Sequence, residues 1–521
     1  MKEAIATDPG ATTTPHIRAS DEPERQHSMI HIEGLSYRYQ GSQTYALRDV
    51  TLDIEPGEFV VVTGPSGCGK STLALAIGGY LFRQFDGEAS GAITVAGMDV
   101  RNSPIYDIAE VVGLVQQNPE AQSCTLIVEN EVAFGLENRC LPREEIRDRI
   151  TWALSIVGGE HLRRRALATL SGGEKQKVAV AAMMAAKPEV LIFDEPTSNL
   201  DPTATAEIFN VIEHIRRKAG ITVIVIEHKV DYLRRFSPRL VQLDEGRIVH
   251  DGAIQHVGNQ PQTLQSAFTF TPHAFPVTDA PLVRVDGLHA GYEGDPVLRS
   301  LSVEVGAGEF VSIMGDNGSG KSTFLQCLLG LHRPSLGQVE VMGHDTLRTP
   351  VSQIARDVGF VFQNPDHQLF AESVWDEAVF APQNFDVLDG TVRAGAVERR
   401  VNELLAHCGL QDRRADHPYR LSYGQKRRLN LVSVLSYAPR LLLVDELLIG
   451  QDPTNAAFLL ELLRGHVKGG GAVLMVNHAP RVTQSYANRV LFFENGRIAV
   501  DAPPGQAFTQ LQARGKDAYV A

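Results

Sequence analysis

Two segments of the chain, Gly64-Pro65-Ser66-Gly67-Cys68-Gly69-Lys70-Ser71-Thr72 and Gly315-Asp316-Asn317-Gly318-Ser319-Gly320-Lys321-Ser322-Thr323, place glycines, a lysine and paired hydroxyls at the spacing that wraps a phosphate chain. The glycines let the backbone close around the β-phosphate with its N–H groups pointing inward. The lysine neutralises β and γ oxygens, and the hydroxyl of Ser71 or Ser322 ligates Mg2+. Each segment follows an apolar run of strand length and opens an apolar segment of helix length, the setting this chemistry needs.

Further along, Val190-Leu191-Ile192-Phe193-Asp194-Glu195 and Leu441-Leu442-Leu443-Val444-Asp445-Glu446 each end an apolar run in two carboxylates. Buried carboxylates are costly without a cation or a hydrogen-bond network. Asp194 and Asp445 are therefore candidates to hold Mg2+ through water, and Glu195 and Glu446 to polarise a water attacking the γ-phosphate. Both aspartates lie 124 positions beyond the lysine of their own loop. At the end of the next apolar run, His228 and His478 are placed to contact the γ-phosphate and orient that water.

These landmarks repeat. Lys70 and Lys321, Ser171 and Ser422, and Asp194 and Asp445 are all 251 positions apart, while Gln117 and Gln363 are separated by 246 and His228 and His478 by 250. A duplicated domain is the simplest source of one register kept at five places. The expected organisation is a leader over 1–28, one domain over 29–258, a linker over 259–281, a second domain over 282–510 and a tail over 511–521. The leader, rich in Thr, Pro, Asp and Glu, reads as disordered. Strand-length apolar runs at Phe59–Thr63, Val190–Phe193, Ile221–Ile226, Phe310–Met314, Leu441–Val444 and Ala472–Val476 alternate with helix-length segments, which predicts an α/β core of buried, mostly parallel strands.

Composition narrows the class. A chain of 521 residues exceeds one ordinary core. Its net charge of −13 makes it a poor candidate for wrapping nucleic acid. Cys68, Cys124, Cys140, Cys327 and Cys408 are widely spaced, with no C-x-x-C pair, so neither a disulfide framework nor a zinc site is implied. The most apolar stretch, Val178–Ala186, is far short of the ~18 residues that span a bilayer.

Leu170-Ser171-Gly172-Gly173-Glu174 and Leu421-Ser422-Tyr423-Gly424-Gln425 complete the pattern. With them the chain resembles the ATPase subunits of ABC transporters over both repeats. The resemblance implies tandem P-loop domains with a RecA-like mixed-sheet core, a helical signature subdomain and an antiparallel β subdomain, using ATP and Mg2+. It also implies that the signature of one half closes over the nucleotide of the other in an intramolecular pseudo-dimer. One site would join Lys70, Glu195 and His228 to Ser422 and Gly424; the other would join Lys321, Glu446 and His478 to Ser171, Gly172 and Gly173. By the same resemblance Gln117 and Gln363 link Mg2+ to a membrane partner, and Tyr39 and Tyr292 stack on adenine, with Tyr37 and Tyr45 close enough to compete for the first role. The second half departs at Tyr423, which replaces a glycine, and at Leu447-Leu448-Ile449-Gly450-Gln451-Asp452, where the first half has Pro196-Thr197-Ser198-Asn199-Leu200-Asp201. Both glutamates remain, so these differences read as tolerated variation, with slower hydrolysis at the Lys70 site as the alternative.

Gln117-Asn118-Pro119-Glu120-Ala121-Gln122 and Gln363-Asn364-Pro365-Asp366-His367-Gln368 are followed by the amphipathic segments that hold Val132-Ala133-Phe134-Gly135 and Ala378-Val379-Phe380. This resembles the ATPases of energy-coupling-factor importers, which serve cobalt, nickel and vitamin uptake, where the second glutamine begins a short helix beside a coupling-helix groove. The implied partners are an integral membrane coupling subunit and a small substrate-binding membrane subunit, with this chain at the cytoplasmic face. A fused sugar or peptide transporter ATPase shares nearly everything except the doubled Q-N-P-x-x-Q. A ribosome-associated tandem ATPase would join its domains by a long charged helix, which Gln260–Pro281 is not.

Overall fold

The computed structural model describes residues 28–198, 200–228, 230–254, 274–275, 280–292, 295–385, 391–451 and 453–520. The expected leader, apart from Ser28, and the expected linker, apart from residues 274, 275, 280 and 281, lie outside the described residues.

Each half contains two sheets. In the first half the larger sheet runs Arg247–Ala253, Arg239–Asp244, Phe59–Thr63, Thr222–Ile226, Val190–Asp194, Val112–Val115, parallel except for the outer hairpin. The second half repeats this as Arg497–Ala502, Arg489–Glu494, Phe310–Gly315, Ala472–Val476, Leu441–Asp445, Val358–Val361. The inner strands are apolar at nearly every position because both faces of the sheet are covered.

Alternate side chains of one strand serve different cores. Val60 and Val62 join Ile32, Leu52, Leu73 and Ile93 on the face that carries the small antiparallel sheet and the helix Lys70–Ile77. Phe59 and Val61 join Val132, Leu154, Val178 and Phe209 on the face that carries the helices Val128–Asn138, Arg143–Ile156, Gly172–Ala185 and Pro202–Ala219. The antiparallel sheet, order Leu47–Ile54, Ile30–Tyr39, Gly87–Val95, Met98–Asp99, gives each half its smaller layer, and its counterpart in the second half has the same topology. The α/β fold expected from the sequence is therefore present in both halves.

Register places the chemistry. Phe59 pairs with Val223 and Val190 with Thr222, so Thr63, Asp194 and Ile226 finish at one edge of the sheet. Loops leaving the carboxyl ends of parallel strands meet there. Glu195 and Glu446 follow with φ of 46° and 49°, a left-handed backbone that lifts each carboxylate off its strand. Among the described residues no helix is long and apolar enough to cross a membrane.

Candidate nucleotide site

The phosphate loops are shaped by the sheet beneath them. Gly64 and Gly315 have φ of 145° and 142°, and a Cβ on either would collide with a backbone carbonyl of the adjoining strand, Leu243 O or Phe493 O. Only glycine fits, which leaves the loop free to curl tightly. Lys70 Nζ donates to Gly64 O at 2.9 Å and Pro65 O at 2.8 Å, and Lys321 Nζ donates to Gly315 O and Asp316 O at 2.9 Å. Both ammonium groups are buried and folded over their own loops. Burial pushes Lys321 down, against the opposing pull of Glu446, Asp201, Asp445 and Asp316.

Ser71 Oγ donates to Asp194 Oδ1 at 3.2 Å, and Ser322 hydrogen-bonds to the Asp445 carboxylate in the second half. Burial raises both aspartates to about 6, aided by the neighbouring carboxylates Glu195 and Glu446. Asp445 Oδ1 is buried without a hydrogen-bond partner. A hydroxyl and a desolvated carboxylate converging beside a phosphate loop fit Mg2+, which would neutralise phosphate charge there.

A raised carboxyl pKa has a definite sign. The native chain holds protons up to about pH 6 that the unfolded chain releases near 3.8, so without metal these two groups erode stability as pH rises through that window. A cation that replaces the proton reverses the loss. Mg2+ with a non-hydrolysable ATP analogue is therefore expected to raise the thermal midpoint a few degrees more at pH 7.5 than at pH 5, at about 2–4 °C per kcal/mol for a domain of 150–250 residues. Equal shifts in calorimetry at the two pH values would count against metal binding at these aspartates.

Each glutamate sits between a glutamine and a histidine. Gln117 Nε2 donates to Glu195 Oε2 at 2.9 Å, with His228 Nε2 3.2 Å from Oε1. Gln363 Nε2 donates to Glu446 Oε2 at 2.7 Å, with His478 Nε2 2.9 Å from Oε1. A fixed carboxylate beside a phosphate-loop lysine can polarise a water for in-line attack. Tyr37 is buried in the core and donates to Phe85 O, whereas Tyr39 and Tyr45 line the cleft at Lys70. Tyr292 lines the cavity at Lys321 with its ring 4.6 Å from His332.

The two halves meet across this edge. A cleft of about 1060 Å³ at Lys70, Ser71 and Glu195 is also lined by Ser422, Tyr423 and Gly424 of the other half. The cavity of about 400 Å³ at Lys321 is lined by second-half residues, and Ser171, Gly172 and Gly173 do not reach it; Gly172 lines the larger cleft, which Gln363 borders too. Both serines cap their helices, Ser171 with Glu174 and Ser422 with Gln425, in reciprocal boxes that fix the start of each signature helix.

Several contacts carry no signal in the sequence. Asn317 N donates to Asp201 Oδ2 across the halves at 2.9 Å, and Arg481 pairs with Asp231 at 3.1 Å. Arg427, fully buried, donates to Tyr423 Oη at 3.0 Å and to Phe362 O at 2.9 Å, so the tyrosine that replaces a signature glycine is anchored to its own half. The first half has Gln176 at that register. Thr197 donates to Glu227 in the first half; Leu448 and Asn477 take those places in the second, where Asn477 Nδ2 donates to Thr483 Oγ1 at 2.9 Å. The short helix after Gln117 begins at Pro119, capped by Asn118, and Gln122 ends it rather than starting it. Asn and Pro together are the stronger helix-start signal.

Residues 47–198 and 298–448 match the family described as ABC transporter. A protein of Methanosarcina mazei named "Putative ABC transporter ATP-binding protein" is 32% identical over 95% of this chain and 93% of its own length. Another from Methanosarcina acetivorans with the same name is 34% identical over 93% of this chain and 86% of its own. The Bacillus subtilis protein named "Putative HMP/thiamine import ATP-binding protein YkoD" is 32% identical over 92% of this chain and 93% of its own. With both phosphate loops, both Asp-Glu pairs and both signature helices present in tandem, the chain belongs to the ATP-binding proteins of ABC transporters, whose hydrolysis of ATP is coupled to transport.

Proposed function

We propose that this chain is the energy-coupling ATPase of an importer of the energy-coupling-factor type, driving uptake of a vitamin, vitamin precursor or transition-metal ion through separate membrane subunits. In this reading the domains run over 29–258 and 282–510, Ser422 and Gly424 border the Lys70 cleft, and closure of the halves on ATP brings Ser171, Gly172 and Gly173 to the Lys321 loop, so that each loop is completed by the other half's signature. Glu195 and Glu446 polarise the attacking water, His228 and His478 orient it, and Ser71, Asp194 and Gln117, with Ser322, Asp445 and Gln363, surround Mg2+. The chain sits at the cytoplasmic face of the membrane.

The observation that carries the transporter type is the surface beside each Q-N-P-x-x-Q segment. Gln368 Nε2 donates to Asn430 O and Ser433 Oγ at 3.1 Å, which pins the segment, and Glu377 accepts from Phe370 N and Ala371 N at 2.9 Å. Phe370 is thereby held 61% exposed, edge-on to Phe380, over a cavity of about 210 Å³ lined by Leu329, Phe360 and Tyr437. In the first half Glu131 accepts from Cys124 N and Thr125 N, and Leu126, Ile127 and Phe134 are exposed. Apolar side chains kept in water by buried carboxylates suit a surface that is covered in an assembly. The importer name of the Bacillus subtilis relative supports the same reading.

Cysteines at Leu126 and Phe370 are expected to crosslink to a copurified integral membrane subunit. Adducts confined to the opposite face, or cosedimentation with ribosomes in place of membranes, would reject the proposal.

A further inference from the structure

The segment that follows the helix Pro504–Ala513 turns back onto the second phosphate loop. Lys516 Nζ donates to Asp316 Oδ2 at 2.9 Å, and Tyr519 Oη donates to Asp316 Oδ1 at 2.9 Å. Both oxygens of the second residue of the loop are thus taken by side chains 200 and 203 positions away. Lys516 also lies 3.2 Å from Glu494 Oε1, so it bridges Asp316 and Glu494, and Arg514 lies 3.7 Å from Glu494 Oε2. Tyr519 is fully buried, its ring edge-on to Phe492 at 5.0 Å, and its hydroxyl also meets Thr203 at the start of a first-half helix. The next loop residue, Asn317, donates to Asp201 of the same first-half turn.

We propose that Lys516 and Tyr519 are positioning residues for nucleotide at the Lys321 site, neutralising and fixing the Asp316 carboxylate so that the second loop can accept a polyanionic phosphate chain. The first loop has Pro65 at this position, which brings no charge, so the device serves one site only. The Lys516 and Tyr519 hydrogen bonds hold Asp316 below the usual carboxylate range despite its partial burial, and its charge is felt by Lys321. Without Lys516 that carboxylate would repel the phosphates at close quarters.

The inference rests on the loops binding ATP, and the test separates the two. In the full chain, Lys70→Ala isolates the Lys321 site and Lys321→Ala isolates the Lys70 site for titration with a fluorescent non-hydrolysable ATP analogue and Mg2+. Lys516→Met is expected to weaken binding at the Lys321 site about tenfold, and Tyr519→Phe about threefold, with the Lys70 site within about twofold of its starting affinity. Adding Asp316→Asn to Lys516→Met should restore binding to within about threefold, a rescue that lost packing could not produce. No loss at the Lys321 site, equal loss at both sites, or failure of Asp316→Asn to rescue would overturn the proposal. Absence of binding at both sites in the parent chain would overturn the ATP reading with it.

Discussion

Glu446→Gln is expected to lower steady-state phosphate release by about 10²–10⁴-fold while nucleotide binding survives. The substitution keeps the size of a side chain that accepts from Gln363 at 2.7 Å and lies 2.9 Å from His478, but removes the charge that polarises a water. Glu195→Gln, with Gln117 at 2.9 Å and His228 at 3.2 Å, should do the same. Single-turnover measurements on the two variants address the asymmetry between the halves. Equal losses would assign Tyr423 and the Leu447–Gln451 segment to tolerated variation. A much smaller loss in Glu195→Gln would mean that the Lys70 site, which faces those residues, is already slow.

Lys70→Ala is expected to reduce coupled transport to background rather than to one half. Its cleft takes the lysine from one half and Ser422 and Gly424 from the other, so loss of phosphate contact there removes the ligand that draws the halves together. The measurement is ATP-dependent uptake in vesicles containing the membrane subunits. Retention of about half the parental rate would mean that the two loops act independently.

What the sequence disclosed follows from how local the physics is. The phosphate loops, the strands Phe59–Thr63 and Leu441–Asp445 and the Asp-Glu pairs are legible because burial on both faces and backbone geometry impose residue types on contiguous positions. One strand of the small antiparallel sheet, Gly87–Val95, is not. Six of nine residues in Gly87–Val95 are exposed, so no alternation marks it as a strand, and only the family resemblance anticipated it. The start of the helix at Pro119 was readable from Asn-Pro, yet the resemblance drew attention to Gln122. Lys516 and Tyr519 could not be found by spacing, because their partner Asp316 is about 200 positions away in the chain.

The contacts between halves at Asp201–Asn317, Asp231–Arg481 and Thr203–Tyr519 are made within one polypeptide. Separate ATPase subunits must find each other by diffusion, whereas covalent linkage converts that encounter into an intramolecular one. Each chain therefore carries one first half and one second half in fixed proportion, whatever its abundance. Mixed pairings that would put two first halves or two second halves together are disfavoured by the same linkage.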